Sequence, residues 1–192
     1  MKSLAFWTMC LLGSGSWVVA AEPIALTAET RVKLQTIAFQ AAREGDVATL
    51  REYLAVKMPL NETNSRGDTL LIVAAYQGQA SAVEWLLKQP GIEIDRRNRM
   101  GLTALTAATF KGEVGIAKQL LAAKADVNLA NGTGQTALMF AALAGRTEMV
   151  KLLLDSGAQA GARDRLGNTP LTLAQSQGAT EIVALLQAHL TR

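Results

Sequence analysis

Glycines recur at Gly45, Gly78, Gly112, Gly145 and Gly178, at intervals of 33, 34, 33 and 33 residues. No other feature limits the fold so strongly, because a fixed period in this range is the mark of a solenoid of stacked units. The unit is plainest from Gly134 to Gly157, GQTALMFAALAGRTEMVKLLLDSG. Thr136 is placed to cap a helix, its hydroxyl accepting from backbone N–H groups that have no partner inside the helix. Gly145 and Gly157 each follow an apolar run, where a left-handed residue most easily closes the last turn. The spacing predicts helix–turn–helix, with Leu138, Ala141 and Ala142 on the inner helix and Met149, Val150, Leu152, Leu153 and Leu154 on the outer one. Two such helices cannot bury both apolar faces against each other. Each unit needs a neighbour of its own kind.

The neighbours are present. Thr69, Thr103 and Thr169 repeat the helix start, each two residues after a glycine (Gly67, Gly101, Gly167). Ala41, Ala74, Ala108, Ala141 and Ala174 repeat a small residue on the inner helix. With its T-x-L-x-x-A runs and the ADVN end at Ala125–Asn128, the sequence resembles the ankyrin-repeat family over roughly residues 30 to 190. That resemblance implies an all-α fold, an ankyrin-repeat solenoid of about five helix–turn–helix repeats with degenerate N- and C-terminal caps. The repeats divide as 30–63, 64–97, 98–130, 131–163 and 164–192. In the first, Thr36 matches the recurring threonine but Leu34 stands where the glycine should be, so its inner helix is expected to extend upstream. The second carries one extra residue near Pro90-Gly91, where proline ends a helix and an insertion only lengthens a loop. The last stops after its second helix, with Gln175, Gln177, Gln187 and His189 adding polarity where no further repeat follows. The family's usual Thr-Pro-Leu-His start keeps its proline only at Pro170, and its histidine position holds Phe39, Ile72, Thr106, Met139 and Thr172.

Residues 1–21 differ from all that follows. Lys2 supplies a positive start, Leu4 to Leu12 an apolar stretch, and Val18 to Ala21 small residues before a cut, the pattern of a secretory signal peptide. Cleavage after Ala20 or after Ala21 satisfies the small-residue rule, and residues 22–29 then form a short linker with a helix starting near Thr27. An uncleaved anchor is disfavoured by Gly13 to Ser16, which interrupt an apolar run already marginal against the roughly 20 residues of a membrane span. Cys10, the one cysteine, lies in the signal, and Trp7-Thr8-Met9 before it do not fit a lipoprotein cut. The exported chain then has no thiol chemistry, which suits a bacterial periplasm better than a disulfide-stapled secreted domain. After cleavage no membrane span is expected.

A net charge of +3 is too small to point to nucleic acid. His189 is the one histidine and has no second histidine or cysteine to complete a metal or acid–base site, so a non-enzyme without cofactor is expected. Glu148 and Glu181 sit at equivalent starts of outer helices, and Asp126, Asp155 and Asp164 are read as turn residues. Trp85 replaces a leucine of the outer helix and is expected in the core. Binding is left, and the family resemblance puts it on the finger loops and the exposed ends of the inner helices. Candidate contacts there are Arg66, Arg97, Arg99, Arg163 and Arg165 on the fingers and Tyr76, Phe110, Lys111 and Leu143 on the helix ends. Arginine can bind carboxylates through two parallel bonds, so the expected partner is a periplasmic protein with an acidic rim around a small apolar patch. The plain alternative is that the arginines keep the tips soluble and Phe110 packs on Tyr76. The implied function is a monomeric scaffold or accessory protein that stabilises or positions its partner. An oxidative-stress enzyme such as catalase is the candidate suggested by exported members of the family; the alternative is an inhibitor or immunity protein that blocks a toxic enzyme.

Overall fold

Short helices separated by left-handed turns follow directly from the threonine and glycine punctuation. The structure is a computed structural model and describes residues 27–191. The expected signal peptide with Cys10, residues 22–26 of the linker, and Arg192 lie outside the described residues. In chain order the helices are α1 (Ala28–Glu44), α2 (Val47–Ala55), α3 (Leu70–Tyr76), α4 (Ala80–Leu87), α5 (Ala104–Lys111), α6 (Val114–Ala122), α7 (Ala137–Leu143), α8 (Thr147–Asp155), α9 (Pro170–Ser176) and α10 (Thr180–Leu190). Only two isolated β-bridges, Thr63 with Thr69 and Ala130 with Thr136, occur among the described residues. The fold is an all-α repeat solenoid. Inner helices stack as α1, α3, α5, α7 and α9, and outer helices as α2, α4, α6, α8 and α10.

Each inner helix after the first is opened by its threonine. The hydroxyls of Thr69, Thr103, Thr136 and Thr169 accept from the amides of Ile72, Thr106, Met139 and Thr172 at 3.2, 3.3, 3.4 and 3.1 Å. Thr106 and Thr172, at the family's histidine position, return the bond: their hydroxyls accept from the Thr103 and Thr169 amides at 2.6 and 2.8 Å. In the first unit the helix begins at Ala28, capped by Thr27, and runs through Thr36, whose hydroxyl donates to the Val32 carbonyl at 2.9 Å. Ala28 and Glu29, counted with the linker, are therefore helical. At the insertion α4 stops at Leu87, ahead of Pro90, and the extra length stays in the bend.

Burial follows the repeat. Ala74, Ala108, Ala141 and Ala174 are fully buried between inner helices, and Leu86, Leu120, Leu153 and Leu186 between outer ones. At the C-terminal end Thr172 and Gln175 are exposed where Ile72, Met139, Ala75 and Ala142 are buried in earlier units. The last described unit therefore presents polar side chains where earlier units bury apolar ones. His189 is half-buried, its Nδ1 lying 3.0 Å from the Leu185 carbonyl. Trp85 is half-buried against the core, with the Arg51 guanidinium 5.9 Å from its ring centre. Asp155 is not a turn residue: it is the last residue of α8. Glu148 and Glu181 are more than solvated helix starts, since Lys118 and Lys151 of the preceding outer helices reach them at 3.9 and 2.9 Å.

Two columns of Asn and Asp side chains tie the loops. At the finger starts, Asn64, Asn98, Asn131 and Asp164 each accept two loop amides through Oδ1, as with Arg66 and Asp68 onto Asn64 at 2.8 and 3.0 Å. At the bends after the outer helices, the second column joins one unit to the next. Asn61 Nδ2 donates to the Gly91 carbonyl (2.7 Å) and its Oδ1 accepts from the Glu93 amide (3.0 Å). Asn128 does the same to Gly157 (3.1 Å) and Gln159 (2.9 Å). Between them, Asp95 accepts the Asp126 amide on its two oxygens at 3.1 and 3.3 Å.

Four substitutions have predicted stability changes, each readable by urea denaturation. Gly101 and Gly167 share a left-handed φ (77° and 81°), but a Cβ on Gly101 would lie 2.8 Å from the Gly132 nitrogen, whereas Gly167 has nothing within 4 Å. Gly167→Ala therefore loses about 1–2 kcal/mol, the cost of a left-handed L residue, and Gly101→Ala clearly more because the next finger must shift. Lys124 occupies the left-handed region at φ 71° without being glycine, so Lys124→Gly gains about 0.5–1 kcal/mol. Thr109, buried in α5, has a hydroxyl without a hydrogen-bond partner, while alanine stands at the equivalent places in α1, α3 and α7. Thr109→Val keeps its shape and gains about 1 kcal/mol.

Candidate functional site

The finger tips are set by main-chain bonding before any side chain is considered. The Asn/Asp clamps fix each finger, and the Arg99 amide donates to the Arg66 carbonyl (3.2 Å) as the Arg165 amide donates to that of Thr133 (2.9 Å). The second and third tips, and the fourth and fifth, are thus held in register.

Charge is segregated on this frame. Over residues 64–77, 97–111, 131–144 and 163–177, the finger-to-inner-helix stretches of the last four units, the only acids are Asp68 and Asp164, and both are buried. The cations of the same stretches are Arg66, Arg97, Arg99, Lys111, Arg163 and Arg165, all exposed. Exposed carboxylates lie elsewhere, on or beside the outer helices as with Asp46, Glu84, Glu148 and Glu181, and on α1 of the first unit as with Glu29 and Glu44. Asp68 accepts from Arg66 Nε at 3.0 Å, from Asn64 Nδ2 at 3.2 Å and from Asn98 Nδ2 at 2.7 Å. The Asn168 side-chain amide, with loop amides beside it, holds the Asp164 carboxyl below its ordinary range, so Asp164 stays ionised as a turn clamp.

The six cations are not equally free. Arg66 is tied to Asp68, Arg163 Nη1 donates to the Gly167 carbonyl at 3.2 Å, and Arg97 attracts the Asp95 carboxylate. Arg99 and Arg165 make no ion pair among the described residues. The helix-end residues are exposed as expected: Tyr76 41%, Phe110 54% and Leu143 41%. Tyr76 and Phe110 stack across the joint between the second and third units, their ring centres 6.5 Å apart and their planes within 11°. Lys111 Nζ sits 5.2 Å from the Tyr76 ring centre, a cation over an aromatic face. Phe110 therefore does pack on Tyr76, and both residues stay exposed in the stack.

Two apolar residues escaped the sequence-based selection of contacts, Met100 (71% exposed) and Leu166 (87%). Both are two residues beyond the clamping Asn or Asp, the place that Arg66 and Thr133 take in their fingers. That recurrence was the signal available for finding them. Among the described residues no helix is long and apolar enough to cross a membrane, and no group of three or more His, Cys, Asp or Glu is placed to hold a metal.

Comparison with known proteins agrees with this architecture. The family described as ankyrin repeats (3 copies) matches residues 38–131 and 114–191, most of the chain. The chain is 39% identical over 85 residues to the human (Homo sapiens) NAD-capped RNA hydrolase NUDT12, covering 44% of this chain and 18% of that protein. It is 31% identical over 94 residues to alpha-latrocrustotoxin-Lt1a of Latrodectus tredecimguttatus, covering 49% and 7%. A putative glutaminase 2 of Caenorhabditis elegans is 31% identical over 72 residues, covering 38% and 12%. The chain spans less than a fifth of the length of each of these proteins, and the hydrolase and glutaminase matches fall on ankyrin regions. The chain belongs to the ankyrin-repeat family, whose repeats are in general non-catalytic modules for binding other proteins.

Proposed function

We propose that this chain is a non-catalytic periplasmic accessory protein that docks on one other protein and stabilises or positions it. Residues 1–21 export it as a cleaved signal, and five repeats dividing residues 30–192 form the binding domain. The docking surface is the row of finger tips and inner-helix ends carrying Arg66, Arg97, Arg99, Arg163 and Arg165 beside Tyr76, Phe110, Lys111 and Leu143. What supports this most is the charge segregation. A surface whose exposed charges are all cations, flanking two open aromatic rings, complements a carboxylate rim around an apolar patch. Large aromatic and arginine side chains are also the residues that most often carry binding energy at interfaces. A detoxifying enzyme such as catalase is the partner class suggested by likeness to exported members of the family.

The test is crosslinking in the periplasm, with mass spectrometry of what is captured, on the wild type and on an Arg97→Glu, Arg99→Glu, Phe110→Ala variant. All three side chains are exposed, so circular dichroism should show the variant folded. The expected result is one dominant partner lost by the variant and kept by Glu84→Ala, a change on the outer face. Capture of the same partners by wild type and triple variant would overturn the assignment. Assaying the captured partner with and without this chain then separates an accessory protein, which preserves activity, from an inhibitor, which abolishes it.

A further inference from the structure

The bend column reads Asn61, Asp95, Asn128 at the three successive joints between the first four units. Both asparagines make the same pair of bonds to the next unit: Oδ1 accepts an amide, and Nδ2 donates to the carbonyl two residues before it. At the middle joint the amide is that of Asp126, so the corresponding carbonyl is that of Lys124. A carboxylate can accept the amide, as both Asp95 oxygens do, but it has no proton to give the carbonyl.

We propose that Asp95 makes the joint between the second and third units acid-tightened: once protonated, its carboxyl donates to the Lys124 carbonyl and completes the two-bond clamp that Asn61 and Asn128 make on either side. At neutral pH the joint is held by half a clamp. In acid it closes like its neighbours. The same joint is spanned by the Tyr76–Phe110 stack and by the Asn98–Asp68 bond at 2.7 Å, so it is one of the joints that the candidate docking surface crosses.

The charges around Asp95 agree in direction. Burial raises its pKa above the usual aspartate value, Asp126 adds to the rise, and the Asp126 amide and Arg97 oppose it without reversing it. Glu93 and Arg96 of the same bend pair with each other at 2.9 Å, and Lys124 is exposed. With the folded-state pKa above the unfolded one, folding gains stability as pH falls through the folded value, and the deficit is fully present at neutral pH.

Asparagine at this position is a permanent copy of the protonated clamp. The experiment compares the urea unfolding of wild type, Asp95→Asn and Asp95→Ala between pH 7.5 and pH 4, reading each variant against wild type so that other carboxylates cancel. One restored hydrogen bond should lower the unfolding constant of Asp95→Asn about three- to ten-fold at pH 7.5. That ratio should shrink toward unity by pH 4, and Asp95→Ala should be less stable than Asp95→Asn throughout. An Asp95→Asn chain no more stable than wild type at pH 7.5, or an advantage that does not change with pH, would overturn the clamp. So would equal stability of the alanine and asparagine variants, because relief of charge alone would then account for the gain.

Discussion

No helix pair in this chain can finish its own core. The inner helices α3, α5, α7 and α9 have seven or eight residues, well short of the roughly 12–15 at which an isolated helix becomes even marginally stable in water. Their order comes from lateral stacking, and stacking requires small side chains where inner helices meet. The column Ala74, Ala108, Ala141, Ala174 supplies them, while branched and long side chains such as Leu86, Leu120 and Leu153 fill the wider gap between outer helices. Everything else in the structure presupposes that sideways contact. In the last described unit Thr172 and Gln175 are exposed where that contact buries apolar residues in earlier units.

Stacking and the few main-chain bonds of the fingers would still leave loop amides between helix pairs unpaired, since among the described residues strand pairing is limited to two isolated bridges. The two Asn/Asp columns provide further partners from side chains, one within the fingers of the last four units and one across the three joints between the first four. Each bond adds only about 0.5–1.5 kcal/mol, but their recurrence along the stack turns loops into fixed surface. The distinction matters for recognition, because a surface that is already ordered loses less freedom on binding than a mobile one.

Much of this was legible in the sequence because backbone conformation leaves residue-type signatures. Thr136 and Gly145 announce a helix start and stop with no tertiary knowledge, and their recurrence gives the solenoid. The rest depended on partners from a different unit. Lys118 and Lys151 look like ordinary solvated cations until the next outer helix brings Glu148 and Glu181 beside them. Lys57 and Lys124 take the left-handed turn that Gly91 and Gly157 take elsewhere, and lysine carries no local sign of it. Asn64, Asn98, Asn131 and Asp164 were visible as a recurrence, but a single asparagine in a turn reads as locally satisfied, and only the shared two-amide geometry reveals a column. The exposed aromatic row was legible, because a position left free by the repeat and filled by Tyr76 and Phe110 stands out. Their stacking was not decided by sequence, since it depends on the spacing of two separate helices.

The same clamp explains why the finger tips are free to differ. In each finger the residue two beyond the Asn or Asp gives its amide to the carboxamide or carboxylate oxygen: Arg66, Met100, Thr133 and Leu166 donate at 2.8, 2.9, 3.0 and 2.9 Å, and Thr133 alone adds its hydroxyl, at 2.8 Å. Any side chain with a backbone N–H can serve there, so the fold places almost no demand on what projects from the tip. A basic, an amide-backed polar and two large apolar side chains therefore occupy one structural position without cost to the stack. Recognition can be written at the tips and the helix ends while the alanines, leucines and glycines that hold the units together stay constant, which is the separation a binding solenoid requires.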